Sequence, residues 1–332
     1  MTRDIWILAE QRHGAVASVS FELLARAAGL ARPHGAAVGA VLLSPPLSDE
    51  ALQPLIARGA DYVIALESPR FATFAADRFS AALCREVRAR RPAVLLGAAD
   101  STGRTLLPYA AMTLHTGLTA DCTGLAIDAS SGLLLQTRPA IGGNIMATIT
   151  CAERRPQMAT VRPHACRPLP ADPSRAGRIL RVPVPAGECA GDAVAVERVV
   201  PDAETLPLQD AEKIVVAGRG IRRPETLGLV RTFAGLIGAA VGASREVVDR
   251  GWLSYPHQIG LSGKTVTPRL YIGLGVSGAI QHLAGMQTAE TIVAINKDPE
   301  APIFAVADFG IVGDLADVLP ALIADLQKGA RP

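Results

Sequence analysis

The sequence predicts an α/β fold of two domains, each built on a parallel sheet. Three observations carry this expectation. From the N-terminus to about residue 100, short apolar runs alternate with segments of helical period; strands separated by helices pair in parallel and carry helices on both faces. The alternation stops in a proline-rich stretch and then restarts. The length, 332 residues, suits two domains at about 100–200 residues each.

The runs at 4–9, 36–43, 61–66 and 93–97 read as strands buried on both faces. Between them, 18–31 and 72–89 have helical spacing, with Phe79, Ala82, Leu83 and Val87 on one side of the second helix. Another helix starts near Gly103 and runs through Leu106, Leu107, Ala110 and Leu114. From 118 to 162 the segments are shorter and rich in Thr, Ile, Leu and Gly, which reads as extended or antiparallel pieces. Prolines recur from Pro163 to Pro207 and exclude long helices there.

The domain boundary is placed near Asp202, with 194–200 as the last strand of the first domain, giving domains 1–201 and 202–332. The second domain reads as strand 213–217, helix 226–237, strand 270–273, helix 279–284, strand 291–296 and strand 303–307. A final helix presents Leu315, Val318, Leu319, Leu322, Ile323 and Leu326 as one apolar stripe, with Asp314 at its start.

Composition excludes several functions. Aromatic residues make up 4%, and Lys+Arg 33 against Asp+Glu 31 leaves a net charge of +2. Neither stacking platforms nor a broad basic field for nucleic acid is present. Apolar runs such as 36–43 and 236–243 fall far short of the ~18 residues a membrane span needs, so the chain is expected to be soluble and not a membrane protein. The start, MTRDIWILAE, passes almost directly into a strand-like run without a targeting pattern. Five cysteines with no CxxC fit reduced thiols in a cytoplasm.

The first chemical signal is a pair of glycine-rich turns. Gly218-Arg219-Gly220 follows a strand, but Arg223 stands where a third glycine of the fingerprint would fall. Gly273-Leu274-Gly275-Val276-Ser277-Gly278 is a full GxGxxG between a strand and a helix. Such glycines let the backbone approach a pyrophosphate, whose charge the helix N-terminus favours; the competing reading is a turn that only packs helix on strand. Polar residues gather in the same domain: Ser244, Arg245, Gln258, Ser262, Lys264, Gln281, His282, Asn296 and Asp314. His257, beside Pro256, reads as structural, and on spacing alone a lone His282 is more often structural than functional. No HxxxH, paired carboxylates or GxSxG elbow supports hydrolytic chemistry. These residues alone describe a dinucleotide-binding C-terminal domain, with an NAD-dependent dehydrogenase and a non-redox nucleotide-binding module both open.

Longer matches go further. PRLYIGLGVSGAIQHLAGM from Pro268 and TIVAINKDPEAPIFAVADFGIVGDL up to Leu315 closely resemble the C-terminal signature of the alpha subunit of electron-transfer flavoproteins. In the first domain, GRTLLPYAAMTLHTGLTADCTGL from Gly103, RPAIGGNIMATI from Arg138 and RPQMATVRP from Arg155 resemble motifs of the same family, in family order.

The resemblance implies a heterodimer with an electron-transfer flavoprotein beta subunit, a first domain that contacts it, and a C-terminal doubly wound domain that binds FAD. Donor flavin dehydrogenases, such as the acyl-CoA dehydrogenases of fatty acid beta-oxidation, would supply electrons, and a membrane quinone reductase would accept them. The implied role is an electron carrier and not an enzyme in its own right. An electron-bifurcating, NADH-linked complex is the alternative.

By the same resemblance Arg219 and Ser244 contact the cofactor, and Gln258, Ile259, Gly260, Leu261 and Ser262 lie along the flavin. Ser277, Gly278, Ala279, Ile280, Gln281 and His282 form the helix-entry segment, while Asn296 and Asp314 serve the adenosine side and neighbouring polar positions. Arg245 matches an arginine beside the isoalloxazine, where a cation favours reduced, anionic flavin. His282 matches a histidine near the pyrimidine end. Ser262 stands where the family commonly has threonine, so the hydroxyl is kept and a methyl lost. Leu261 replaces a common glutamine, since QVGQTG reads here HQIGLSG with the histidine preceding. A shared site also implies that part of the apolar surface is interface, and that the isolated chain holds flavin weakly.

Overall fold

The computed structural model describes residues 3–329 apart from 13, 141–144, 164–165, 186 and 188–207. The chain divides into two compact units, Met1–Val199 and Val200–Pro332. The boundary expected near Asp202 and the strand expected at 194–200 lie outside the described residues.

The first unit runs β1 (Ile5–Ala9), a small hairpin of β2 (Gln11–Arg12) and β3 (Ala15–Val16), α1 (Ser18–Ala31), β4 (Val38–Ser44), α2 (Asp49–Ala57), β5 (Tyr62–Glu67), α3 (Ala76–Arg90), β6 (Val94–Ala98) and α4 (Ser101–Leu114). There follow β7 (Leu118–Cys122), β8 (Gly124–Ile127), β9 (Leu134–Pro139), β10 (Met146–Ile149), β11 (Gln157–Val161) and β12 (Arg178–Pro183). Seven strands form one parallel sheet in the order β12-β5-β4-β1-β6-β11-β7.

Central β1 shows why these runs lack polar alternation. Ile5, Ile7 and Ala9 pack with Leu23, Leu24 and Leu52 of α1 and α2 on one face. Trp6 and Leu8 pack with Leu83, Leu106 and Leu107 of α3 and α4 on the other. A strand covered on both faces must be apolar throughout.

This unit differs from the sequence expectation at several points, strand β12 and the β2–β3 hairpin among them. Helix α2 has no counterpart in that expectation, although Ser48 caps it by accepting from the Ala51 amide at 3.3 Å; Pro54 inside a nine-residue helix obscures its pattern. Within 118–162, only β8, β9 and β10 form an antiparallel sheet, whereas β7 and β11 join the main parallel one.

The second unit runs β13 (Lys213–Ala217), α5 (Pro224–Ile237), β14 (Ala240–Ala243), α6 (Arg245–Asp249), β15 (Leu270–Leu274), α7 (Ile280–Leu283), β16 (Ile292–Asn296), β17 (Phe309–Val312) and α8 (Leu315–Gly329). Its strands are all parallel in the order β14-β13-β15-β16-β17. Val215 and Ala217 face α5 and α8 through Val230, Phe233, Leu319 and Ile323. Ile214 and Val216 face a layer of loop residues, including Ile259, Val266 and Met286, together with Tyr271.

The expected strand at 303–307 is corrected. Pro302–Ala305 forms a turn of 3-10 helix, and the edge strand is Phe309–Val312. Pro302 has no amide to give a ladder. The Ile303 amide donates to the Ser277 carbonyl at 3.1 Å, and Ile303 is the one buried side chain of the Pro302–Ala305 turn. The true strand is exposed along its length and gave no burial signal.

Candidate functional site

In the second unit the chain leaves β13 on one side to form β14 and returns on the other to form β15. Open α/β sheets bind ligands outside the carboxyl ends of their strands at such a switch point. A cleft of about 490 Å³ lies there, within the ~300–1,000 Å³ common for ligand sites.

Four segments build it. Arg219 comes from the turn after β13, and Ser244 and Arg245 from the end of β14 and the start of α6. Gln258, Ile259, Gly260, Leu261 and Ser262 form a loop wall. Ser277, Ala279, Gln281 and His282 enter from the turn between β15 and α7. Residues separated by up to 63 positions therefore meet in one cavity, the span from Arg219 to His282.

The loop wall is pinned by backbone bonds. The Ile259 amide donates to the Ala243 carbonyl at 2.9 Å and the Leu261 amide to the Gln281 carbonyl at 2.7 Å. Gly260 has φ +141, and a Cβ there would sit 2.8 Å from the Gln281 carbonyl oxygen, so a side chain is excluded on two counts. Inside the wall, the buried Gln258 gives its Nε2 proton to Ser262 Oγ at 3.0 Å.

The remaining predicted positions, Gly278, Ile280, Asn296 and Asp314, are not among the residues that line the cleft. Ile280 is 73% exposed. Gly278, at φ +81, would bring a Cβ within 2.2 Å of the Ile303 amide nitrogen and marks close packing of the turn. Asn296 Nδ2 donates to the Val276 carbonyl at 2.9 Å and so ties β16 to the same turn. Asp314 accepts from the Ala316 amide at 2.9 Å at the start of α8. His257 donates through Nδ1 to the Val241 carbonyl at 2.7 Å.

The glycine-rich turns are read differently once their surroundings are visible. A Cβ on Gly218 would lie 2.3 Å from the Gly275 carbonyl oxygen, and one on Gly220 would lie 2.7 Å from Gly275 Cα. These glycines pack turn against turn. The helix that follows GxGxxG has only four residues, so the long helix N-terminus of a nucleotide fingerprint is not formed.

Two residues of the lining have no counterpart among the predicted ones. Val276 supplies an apolar patch, and Glu246, on the first turn of α6, is held by Arg250 at 2.9 Å. Their only signal is adjacency to Ser277 and Arg245.

Electrostatically the cleft carries two arginines, Arg219 and Arg245, on its rim; the Arg245 side chain is 72% exposed and pairs with Asp249 at 3.3 Å. The Ser244 hydroxyl and His282 Nδ1 are buried and make no hydrogen bond among the described residues. Burial holds the His282 imidazole down to about 4, with the neighbouring Ile259 backbone only partly offsetting it, so the ring is neutral at ordinary pH.

Residues 5–186 match the model of the electron transfer flavoprotein domain, and 207–287 match that of the electron transfer flavoprotein FAD-binding domain. An electron transfer flavoprotein subunit alpha of Thermoanaerobacterium thermosaccharolyticum is 45% identical, covering 98% of each chain. One of Megasphaera elsdenii is 43% identical over 98% of this chain and 97% of its own. An acryloyl-CoA reductase electron transfer subunit beta of Anaerotignum propionicum is 39% identical over 98% and 96%.

The cleft suits FAD on its own chemistry. Two rim guanidiniums suit an anionic ligand, and the buried Ser244 hydroxyl and His282 Nδ1, without partners among the described residues, suit a polar one. The chain belongs to the electron-transfer flavoprotein family as an alpha subunit, and it binds FAD.

Proposed function

We propose that the chain is one half of a heterodimeric carrier that moves electrons from flavin dehydrogenases, such as acyl-CoA dehydrogenases, to a membrane quinone reductase or another acceptor in the cytoplasm. The observation that carries this reading is the cleft at the β13–β15 switch point, where family-matching segments converge. Bound FAD supplies the electron chemistry. The chain's residues bind, orient and tune.

In this reading Arg219 and Arg245 provide positive charge at the rim, the second beside the ring system. Ser244 offers a hydroxyl with no partner among the described residues. The 258–262 loop forms the wall along the ring, with Ser262 presenting its hydroxyl proton because its oxygen already accepts from Gln258. The 277–282 segment closes the other side. Asn296 and Asp314 serve indirectly, by holding the Val276 turn and the start of α8.

None of the described helices is long and apolar enough to cross a membrane, which suits a carrier that visits a membrane partner. The partner beta subunit would complete the site. Coexpression with the cognate beta subunit, followed by desalting and a visible spectrum, tests the reading: a yellow heterodimer is expected, and a colourless, folded one would sink it.

A second reading, an NADH-linked bifurcating complex, is favoured by one observation. The Anaerotignum relative is named for an acryloyl-CoA reductase, and a subunit that feeds a reductase must draw electrons from another source. Counting flavins per heterodimer and titrating with NADH separates the two: one FAD and no NADH reduction supports the simple carrier, two flavins with rapid reduction the bifurcating complex.

A further inference from the structure

His282 has a partner behind it that the cleft itself does not reveal. Tyr271 sits in β15, fully buried between β13 and β16. Its hydroxyl lies 2.7 Å from His282 Nε2, and the two rings meet edge-on with centroids 6.2 Å apart. Among the described residues this is the one hydrogen bond of the Tyr271 hydroxyl.

Two proton arrangements fit a neutral imidazole. If Nε2 carried the proton and gave it to the phenol oxygen, the phenol's own proton would be left enclosed in the core without an acceptor. A buried unsatisfied donor costs about 1–3 kcal/mol. If the phenol donates to Nε2, the enclosed proton is used, and the imidazole proton moves to Nδ1, the buried nitrogen of a ring that lines the cleft, near the Ile259 backbone. The second arrangement puts the remaining donor on the ring nitrogen that has no hydrogen-bond partner among the described residues. The charged imidazolium is opposed by burial, and Tyr271 is pushed further from ionisation for the same reason.

We propose that Tyr271 is a positioning residue for His282: its hydroxyl donates to Nε2 and fixes the neutral tautomer with the proton on Nδ1, so that His282 meets the cofactor as an uncharged hydrogen-bond donor. This rests on the reading of the cleft as the FAD site. It divides the tuning of the flavin between two residues of different kind, Arg245 giving charge and His282 giving a directed donor. A directed neutral donor strengthens where negative charge collects on reduction, without a counter-charge to desolvate.

The test uses the FAD-loaded heterodimer with 15N-labelled histidine, the His282 signals being assigned by their loss in His282→Gln. Nδ1-protonated His282 is expected in the wild type, and Tyr271→Phe, which keeps the ring and its packing, is expected to release that fixed state. The same variant is expected to shift the flavin potential to more negative values with FAD content unchanged, and the shift is expected to vanish when Tyr271→Phe is made in the His282→Gln background.

An Nε2-protonated His282 in the wild type overturns the proposal without recourse to any variant. So does a potential shift in Tyr271→Phe that survives in full without His282, because that is the behaviour of a merely structural tyrosine. Failure of the site reading looks different. There, His282→Gln would leave the flavin spectrum and potential unchanged while the wild-type tautomer is still Nδ1–H.

Discussion

Gln258 Nε2 donates to Ser262 Oγ at 3.0 Å across the turn of the cleft wall. Gln258 is buried and Ser262 is exposed, so a core amide aims a surface hydroxyl. With its oxygen engaged as acceptor, the serine has its own proton left to give. Ser262→Ala is expected to lower the flavin potential by the equivalent of about 1 kcal/mol, the net worth of one hydrogen bond. Ser262→Thr is expected to stay close to the wild type. Redox titration of the loaded heterodimer checks both, and equal potentials in Ala and wild type would remove Ser262 from the tuning set.

The role proposed for Arg245 is separable from that of Ser262. Its guanidinium is 72% exposed and pairs with Asp249 one helical turn away, a surface pair of the kind worth less than about 1 kcal/mol. Arg245→Ala is therefore expected to leave the melting behaviour of the heterodimer almost unchanged while making the flavin potential more negative, through loss of a cation beside the reduced ring. A potential that is unchanged or higher counts against the role. Adding salt should narrow the gap between variant and wild type, since exposed charges are screened.

The burial of His282 has a consequence for stability as well as for tuning. Its folded-state pKa of about 4 lies below the ~6.5 of an unfolded histidine. The unfolded chain then binds more protons between those values, so stability is fully present above about 6.5 and is lost as pH falls toward 4. The loss is of order 2–3 kcal/mol for a shift of this size. His282→Gln is expected to flatten this part of the profile, as measured by denaturant melts from pH 4 to 7. A profile with the same slope in both proteins would mean that other groups carry it.

Glu10 works in the opposite direction, in the first unit. Burial, followed by the charge of Asp100, pushes its carboxyl up to about 9, and one carboxyl oxygen lacks a partner among the described residues. Asp100 also accepts from the Gly103 amide at 3.0 Å as the cap of α4. Here the folded state binds the extra proton, so the Glu10 contribution is fully present below the unfolded value of about 4.5 and is lost as pH rises through 9. Glu10→Gln keeps the shape without the charge and is expected to raise stability by about 1–3 kcal/mol at pH 8, with little effect at pH 5. Thermal melts at the two pH values read the difference, and an equal effect at both would rule out the carboxyl's ionisation as the cause.

How much of this was legible beforehand depends on where each element keeps its partners. The strand around Trp6 and the helix from Ser18 carry their burial in their own spacing, and both were expected within a residue or two of where they form. The exposed strand Phe309–Val312 has no such pattern, while the neighbouring Pro302–Ala305 turn is apolar in sequence but buries only Ile303. The cleft is assembled from four separated segments, so no local period could announce it, and only family resemblance linked them. Tyr271 reads in sequence as an ordinary aromatic of a buried strand. Its hydrogen bond to a histidine eleven positions away is a property of the turn between them.

That turn provides the sharpest test of the backbone. Gly278 has φ +81, and a Cβ on it would stand 2.2 Å from the Ile303 nitrogen and 2.5 Å from Ile303 Cα. Both obstacles are backbone, and the Ile303 amide is already committed to the Ser277 carbonyl at 3.1 Å, so nothing nearby yields by rotating a side chain. Gly278→Ala should cost at least about 2 kcal/mol from strain and displacement together, and should weaken FAD retention because Ser277 and Ala279 line the cleft on either side. Gly228, in the middle of α5, has open space where its Cβ would be and an ordinary helical backbone. Gly228→Ala should stabilise by about 0.5–1 kcal/mol through helix propensity alone. Denaturant melts and FAD retention of the two variants, measured side by side, should diverge in sign, and a Gly278→Ala protein as stable as the Gly228→Ala one would show that the turn can open without cost.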